Sequence, residues 1–575
     1  MRRLLPFLDW LPKYGKSWFA KDLVAGLSVG ILLVPQGMAY AMIAGMPPVY
    51  GLYAALVPIL VYAFLGTSRQ LAVGPVAMDS LLVAAGLGTL ALTGVESYIS
   101  MALLLAFMVG VIQFTLGMLR MGFLANFLSR PVISGFTSAA ALIIIFSQLK
   151  HFFGVNIPQT NQFHKSVINV VSAVPETNLY ALLIGVVGIA LIVLLKRWNK
   201  KIPAILVVVI AGILAVYLFG LESYRVNIVG DVPEGLPRFR LPEFSWPKIK
   251  GLFSIALAIA LIGYTEAIGI GKAIEEQNDE ETIDPNKELL AFGSANIIGS
   301  FFQSYLASAS FSRSAINNTG GAKTPIASLV SMLLVALTLL FFTGLFYYLP
   351  IAALASIIMV SVVGLIDVAY PKILWKYRKD EFVVLLATFF ITLSVGLPEG
   401  ILLGVLLSLL VTLYRSSRPH FAVLGQIKGS EYFKNVNRFR SEIEFRSDLL
   451  ILRFDSQLYF GNKDYFRKQL FRYINGQGSS LKGIILNAEP INYIDSSAAE
   501  MLAKTIREIQ ERGIDFYIAS AIGPTRDTIF NSRIIDVLPK EHLFGLTKEA
   551  VDFFDNPDSL SKVGDKVAQQ SRFGK

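Results

Sequence analysis

An α-helical polytopic membrane protein with a smaller α/β domain at its C-terminal end is the fold class this sequence predicts, and three observations predict it. The 575-residue chain is 54% hydrophobic and only 16% charged, an apolar share that soluble domains rarely reach. Residues 23–66 contain no Asp, Glu, Lys or Arg, whereas the stretch after Tyr414 is dense in all four. Before that change, apolar runs of about 20 residues, enough to span about 30 Å of hydrocarbon, recur about fourteen times.

In the first half the runs fall near 22–44, 48–66, 71–93, 98–119, 131–149, 179–196 and 202–220. A polar loop rich in Pro and Gly, 221–249, separates them from 251–271, 286–303, 307–322, 325–346, 350–368, 381–396 and 398–414. Basic residues set the orientation, because cytoplasmic loops collect Lys and Arg. Arg2, Arg3, Lys13, Lys16 and Lys21 hold the N-terminus inside; Arg69, Arg120, Arg130, the cluster Lys196, Arg197, Lys200 and Lys201, and later Lys372, Lys376, Arg378 and Lys379 fall on the same side. One inside loop, 272–288, is acidic, but negative residues count weakly and Lys272 and Lys287 flank it. An even number of spans returns the C-terminus to the cytoplasm. The first twenty residues mix Arg, Pro, Lys and Trp, unlike a signal peptide, and read as an interfacial segment.

After Arg418-Pro419 the pattern becomes short apolar strands (LLILRF, QLYFGN, GIILNA, DFYIAS) alternating with amphipathic helices near 463–476 and from Ser497 to Arg512, which is the signature of a small α/β domain. The expected division is a cytoplasmic N-terminal segment 1–21, a membrane domain 22–415 in halves of about 22–220 and 251–415, a cytoplasmic domain 421–556, and a loose tail 557–575.

The formal charge of +10 lies in short clusters between apolar runs, so it reads as membrane orientation and not as nucleic-acid binding. With no cysteine there is neither disulfide nor thiolate metal site. His151, His164, His420 and His542 are isolated from one another and lack metal-ligand spacing. No Ser-His-Asp set or carboxylate pair stands out in the soluble part, so neither an enzyme nor a cofactor is expected.

Three elements interrupt the apolar spans with residues a structural membrane helix has little reason to carry. The first span holds Pro35-Gln36-Gly37-Met38-Ala39-Tyr40, so a kink or break is expected near Pro35, with Gln36 and Tyr40 on one face. The third opens with Val73-Gly74-Pro75-Val76-Ala77-Met78-Asp79, an extended segment turning into a helix. The tenth repeats this design as Ser308-Ala309-Ser310-Phe311-Ser312-Arg313, with serines ahead of a helix expected to start around Arg313. Two half-helices that begin inside the bilayer would aim unpaired N–H groups and positive dipole ends at one point, an anion site.

Arg313 adds a guanidinium whose placement at bilayer depth costs about 2.5–3.5 kcal/mol and calls for a partner: an anionic substrate, or Glu266 or Asp79. Glu266 is the only acid between Lys250 and Lys272 and is a candidate carrier of a coupling proton. Asp79 is a weaker candidate, because an acid in the first turn of a helix can simply cap it. The run Asn317–Pro325 lacks the Gly-Lys-Ser/Thr ending of a phosphate loop and reads as a tight turn.

The segments PQGMAYAMIAGMPPVYGLY, AVGPVAM, GYTEAIGIGKA and ASFSRSAINNTGGAKTP, in this order, closely resemble those of the sulfate-permease (SulP) anion transporters, over about residues 1–560. The resemblance implies two inverted repeats of seven spans, a core domain moving against a gate domain, and an anion site between the third and tenth spans. Gln36, Tyr40, Val76, Ala77, Phe311, Ser312 and Arg313 fall at its lining positions. Residues 421–556 resemble a STAS domain, with Ile494-Asp495-Ser496-Ser497-Ala498 at the turn that carries a phosphorylatable serine in bacterial relatives. Ser496 and Ser497 are the possible acceptors, although helix capping is the preferred reading for both.

Sodium-coupled bicarbonate carriers look different at Glu266, having Asp there, which favours H+ over Na+ as the coupling ion; Asp79 matches no part of the usual pattern. The expectation is therefore an elevator-like carrier of a small inorganic or carboxylate anion, sulfate first, by proton symport or exchange. Bicarbonate and dicarboxylates stay open, as do an anion-sensing receptor, an anion channel and a nucleobase carrier. A homodimer surrounded by lipid in the plasma membrane of a bacterium, with a possible cytoplasmic protein partner at the STAS domain, completes the picture.

Overall fold

The computed structural model describes residues 6–88, 90, 94–127, 129–157, 163–199, 202–276, 282–444 and 446–557. The expected tail, apart from Pro557, lies outside these residues, as do Lys200, Lys201 and part of the acidic loop 272–288. The chain divides into two compact units, residues 1–408 and 409–575.

The first unit is helical. Its first half holds α1 (Lys16–Ile43), α2 (Val57–Leu65), strand β1 (Val73–Gly74), α3 (Ala77–Gly88), α4 (Val95–Met118), α5 (Arg130–Phe153), α6 (Leu179–Trp198) and α7 (Ala204–Phe219). The second half holds α8 (Trp246–Glu275), α9 (Pro285–Phe301), strand β2 (Ser308–Ala309), α10 (Phe311–Thr319), α11 (Ile326–Leu337), α12 (Ile351–Val363), α13 (Lys379–Ser394) and α14 (Leu397–Ser417). Among the described residues seven helices are long and apolar enough to cross a membrane, and four shorter apolar ones accompany them.

Packing relates the two halves. α1 lies on α11, and its counterpart α8 lies on α4; α9 packs on α4 as α11 packs on α2; α13 packs on α5 as α12 packs on α6. The half-helices follow the same rule, α10 touching α1 while α3 touches α8. Such exchange of partners is what an inverted repeat produces, and it separates a core group, α1–α4 with α8–α11, from a gate group, α5–α7 with α12–α14.

Of the kink or break expected near Pro35, the break does not occur. α1 runs unbroken through Pro35 for 28 residues, because a single proline removes one N–H link and the ladder on either side carries the helix past it. Close packing there depends on glycine. A Cβ on Gly51 would overlap the carbonyl of Gly37, so α1 and the short helix Val49–Tyr53 meet backbone to backbone.

The second unit carries a seven-stranded sheet. β3 (Phe421–Ile427) pairs antiparallel with β4 (Phe433–Asn435), β5 (Ile443–Glu444) and β6 (Leu449–Phe454); β6, β7 (Gly483–Asn487), β8 (Asp515–Ala519) and β9 (Leu543–Phe544) continue in parallel. Alternation decides which face each residue serves. Leu450, Leu452 and Phe454 pack with α15 (Lys463–Gln477) and α16 (Ser496–Glu511), whereas Leu449 and Ile451 join the core of α18 (Thr547–Asp555); α17 (Gly523–Phe530) completes the first layer.

Candidate anion-binding site

β1 and β2 pair antiparallel, Val73 opposite Ala309 and Gly74 opposite Ser308. Each strand turns directly into a half-helix, so the pairing brings the N-termini of α3 and α10 together. Further bonds fix the junction: Ser310 N donates to the Ala72 carbonyl at 3.0 Å, and Ala72 N to Ser314 Oγ at 2.9 Å. Gly74 adopts φ +143°, a backbone conformation that favours glycine, and it lies directly against the Arg313 guanidinium.

α10 starts at Phe311, two residues before the expected start, because Ser310 is its N-cap and faces Arg313 N at 3.5 Å. The first-turn amides of both half-helices have no acceptor within their own helix, and each terminus carries about half a positive charge. Phe311 is 64% exposed, while Tyr40 and Ala77 are 5% exposed and Gln36 3%. Val76 is half-buried and Ser312 exposed. The junction is thus open on the side of Phe311 and Ser312.

Arg313 is fully buried behind the strands. Nη2 donates to the Pro75 carbonyl at 2.9 Å, whereas Nε and Nη1 have no partner. Among the described residues Arg313 forms no ion pair, so neither Asp79 nor Glu266 neutralises it by contact. A positive charge remains at the meeting point of two positive helix ends.

The two acids stand close by. Asp79 is 1% exposed and neither of its oxygens accepts from an amide of α3, so the capping alternative for it does not hold; the Ser308 side chain lies beside it. A Cβ on Gly263 of α8 would lie 3.6 and 3.7 Å from those oxygens and 3.5 Å from Ser308 Oγ. Glu266 follows one turn later on the same helix, its Oε2 also buried without a partner. It lines a cavity of about 80 Å³ with Met78 of α3, Phe136 of α5 and Ile401 of α14, placing it at the seam between core and gate.

Some positioning residues escaped the sequence reading. Asn296 Oδ1 accepts from Ala307 N at 2.9 Å and its Nδ2 donates to Gln113 Oε1 at 3.2 Å, tying β2 to α9 and α4. Ser80 and Tyr305 hydroxyls meet at 3.0 Å. An isolated Asn or Gln in an apolar run hints at such a role, but the partners lie up to 225 residues apart.

Residues 19–388 match the Sulfate permease family, and residues 440–550 match the STAS domain. The chain belongs to the sulfate permease family. It is 37% identical to Sulfate transporter 4.1, chloroplastic, of Arabidopsis thaliana, over 95% of this chain and 82% of that one. It is 32% identical to a probable sulfate transporter of Mycobacterium tuberculosis, over 94% and 96% of the two chains. The murine Solute Carrier 26 family member A9 anion transporter, solved in an inward-facing state, superposes with a TM-score of 0.89 at 28% identity, covering 96% of this chain and 94% of that one. The transmembrane domain of the cyanobacterium bicarbonate transporter BicA, 22% identical with a TM-score of 0.58 over 69% of this chain and 98% of its own, shares the fold. This chain is accordingly an integral membrane transporter of the family and not an enzyme.

In the STAS domain the capping expectation fails. Asp495 is the N-cap of α16, accepting from Ala498 N at 2.7 Å and from Phe460 N at 2.8 Å. A carboxylate with two oxygens serves both amides, which leaves Ser496 and Ser497 in the first turn. Ser496 is exposed there and Ser497 half-buried.

Proposed function

We propose that this chain is a secondary active carrier of small anions, sulfate first, which binds its substrate between the N-termini of α3 and α10 and couples its movement to a proton. The β1–β2 pairing carries the reading: it holds two positive helix ends against each other beside an arginine that, among the described residues, forms no ion pair. Gln36, Tyr40, Val76, Ala77, Phe311 and Ser312 surround the anion, and Arg313 supplies charge from behind. Relatives named as sulfate transporters put sulfate ahead of bicarbonate and dicarboxylates.

Glu266 supports the coupling. A carboxylate with a buried, unpartnered oxygen is costly to keep charged in lipid, and its place at the core–gate seam means that a sliding core changes its surroundings. It takes up a proton in one state and gives it back in the other; Asp79 is the second carboxylate of the path. The basic ends of the helices and the STAS domain face the cytoplasm from the plasma membrane, and two copies form the working unit.

Uptake of radiolabelled sulfate, bicarbonate and fumarate into proteoliposomes, with imposed pH and sodium gradients in turn, tests the reading. Saturable sulfate accumulation driven by an inward proton gradient and indifferent to sodium is the expected result. Non-saturating flux would make the protein a channel, and sulfate binding without flux a receptor.

A further inference from the structure

The faces that carry the site continue beyond it. On α1, Gln36, Tyr40 and Ile43 follow at four and three residues; on α3, Ala77, Leu81 and Ala84 do the same, so each trio shares a face. Ile43, Leu81 and Ala84 line a second cavity, of about 280 Å³. From the gate side, Phe136, Ile143, Ser147 and Lys150 share a face of α5: Phe136 borders the small cavity at Glu266, and the other three border the larger one. Two helices, α1 and α3, therefore lead from the anion site to this chamber, and α5 leads to it from the Glu266 cavity; Tyr40 and Leu81, on the faces of α1 and α3, are 5% and 6% exposed.

The chamber sits at the C-terminal ends of α1, α3 and α5 and the N-terminal ends of α8 and α14, reached by Ser254 and Glu399. That is the end of the bundle opposite Lys16 and Arg130. Its wall contains Lys150, His151, Gln148, Ser166 and Ser254. Ser147 is already committed, donating to the Ile144 carbonyl and accepting from Gln148 Nε2. Lys150 is half-buried and, among the described residues, in no ion pair. A lysine at this end runs against the basic bias that places the other end in the cytoplasm, so orientation does not explain it.

We propose that this chamber is an outer vestibule that receives the substrate oxyanion before the core takes it up, with Lys150 drawing it in and Glu399, on the part of the wall built by α14, tempering the attraction. The inference rests on the carrier function proposed above and adds the external end of its path. A low-dielectric chamber holding a cation outside any ion pair raises the local concentration of anions, so Lys150 acts on capture of the substrate and not on its translocation.

Initial rates of sulfate uptake from the outside of cells producing the full chain, at low and high ionic strength, provide the test. K150Q raises the external KM for sulfate about threefold to tenfold, keeps the maximal rate within about twofold, and flattens the salt dependence of KM; K150R restores all three, and E399Q lowers KM. An unchanged KM and salt dependence in K150Q, in cells whose wild-type protein transports sulfate, overturns the vestibule alone. Cells whose wild-type protein takes up no sulfate overturn the carrier reading and the vestibule with it. Should K150Q fail to reach the membrane, E399Q decides, and an unchanged KM there sinks the proposal.

Discussion

Two kinds of carboxylate share the interior of the membrane unit, three of them buried and the fourth, Glu266, half-buried with one buried oxygen. Asp22, fully buried, accepts from Lys323 N at 2.6 Å, Thr324 N at 3.1 Å and the Thr324 hydroxyl. Glu288, 2% exposed, accepts from Thr67 N and Oγ1, both at 2.6 Å, from the Tyr62 hydroxyl at 2.8 Å and from Ser68 N at 3.4 Å. Asp79 and Glu266 have nothing comparable: both Asp79 oxygens and Glu266 Oε2 are bare. Burial without partners is not sustained for stability, since a hydrogen-bonded carboxylate or an apolar side chain would serve the fold better. The pinned pair ties segments more than 200 residues apart to one another; the bare pair makes no such tie, and on the coupling proposed above it is the pair that would exchange the proton.

The comparison breaks most visibly at Glu288. Glu288→Ala strands several buried donors and is expected to cost about 3 kcal/mol or more, read as a fall in the thermal midpoint of detergent-solubilised protein. Asp79→Asn, which replaces a bare carboxylate with a neutral group of the same shape, is expected to leave that midpoint unchanged or higher. If Asp79→Asn destabilises the protein as much as Glu288→Ala does, the distinction is wrong.

Next in size is Arg313→Ala. Loss of the uncompensated guanidinium is expected to weaken sulfate binding at least tenfold, about 1.4 kcal/mol, in a titration of purified protein. Unchanged affinity would leave the two helix ends as the whole of the site. Glu266→Gln sharpens the contrast from the other side: binding stays measurable and exchange persists, but accumulation driven by a pH gradient disappears. Continued proton-driven accumulation would move the coupling to Asp79.

Much of this was legible because the apolar runs, the Gly-Pro at 74–75 and the serines before Arg313 are local signals; each concerns what a short segment does by itself. The difference between pinned and bare acids was not. Asp22 finds its donors 301 and 302 residues away and Glu288 finds its own 220 to 226 away, so no window of sequence contains both halves of either staple. The same limit explains Pro35: proline announces a missing N–H, but whether the helix breaks depends on neighbours that only the fold assembles.

A milder version of the contrast appears in the STAS domain. Asp495 is a pinned carboxylate, half-buried, joining the start of α16 to the loop at Phe460, while Ser496 beside it bears no cap. Removing an N-cap costs about 1 kcal/mol, which corresponds to roughly fivefold faster opening of the bonds it protects. Asp495→Ala is therefore expected to speed hydrogen exchange in the peptides covering Phe460 and Ala498 by about that factor, and Ser496→Ala to leave them unchanged. Equal effects of the two substitutions would mean that the serine shares the cap. A protected Ala498 amide in both variants would mean that α16 is held by packing of its buried face alone, and that the turn is free to be modified at Ser496 without loosening the domain.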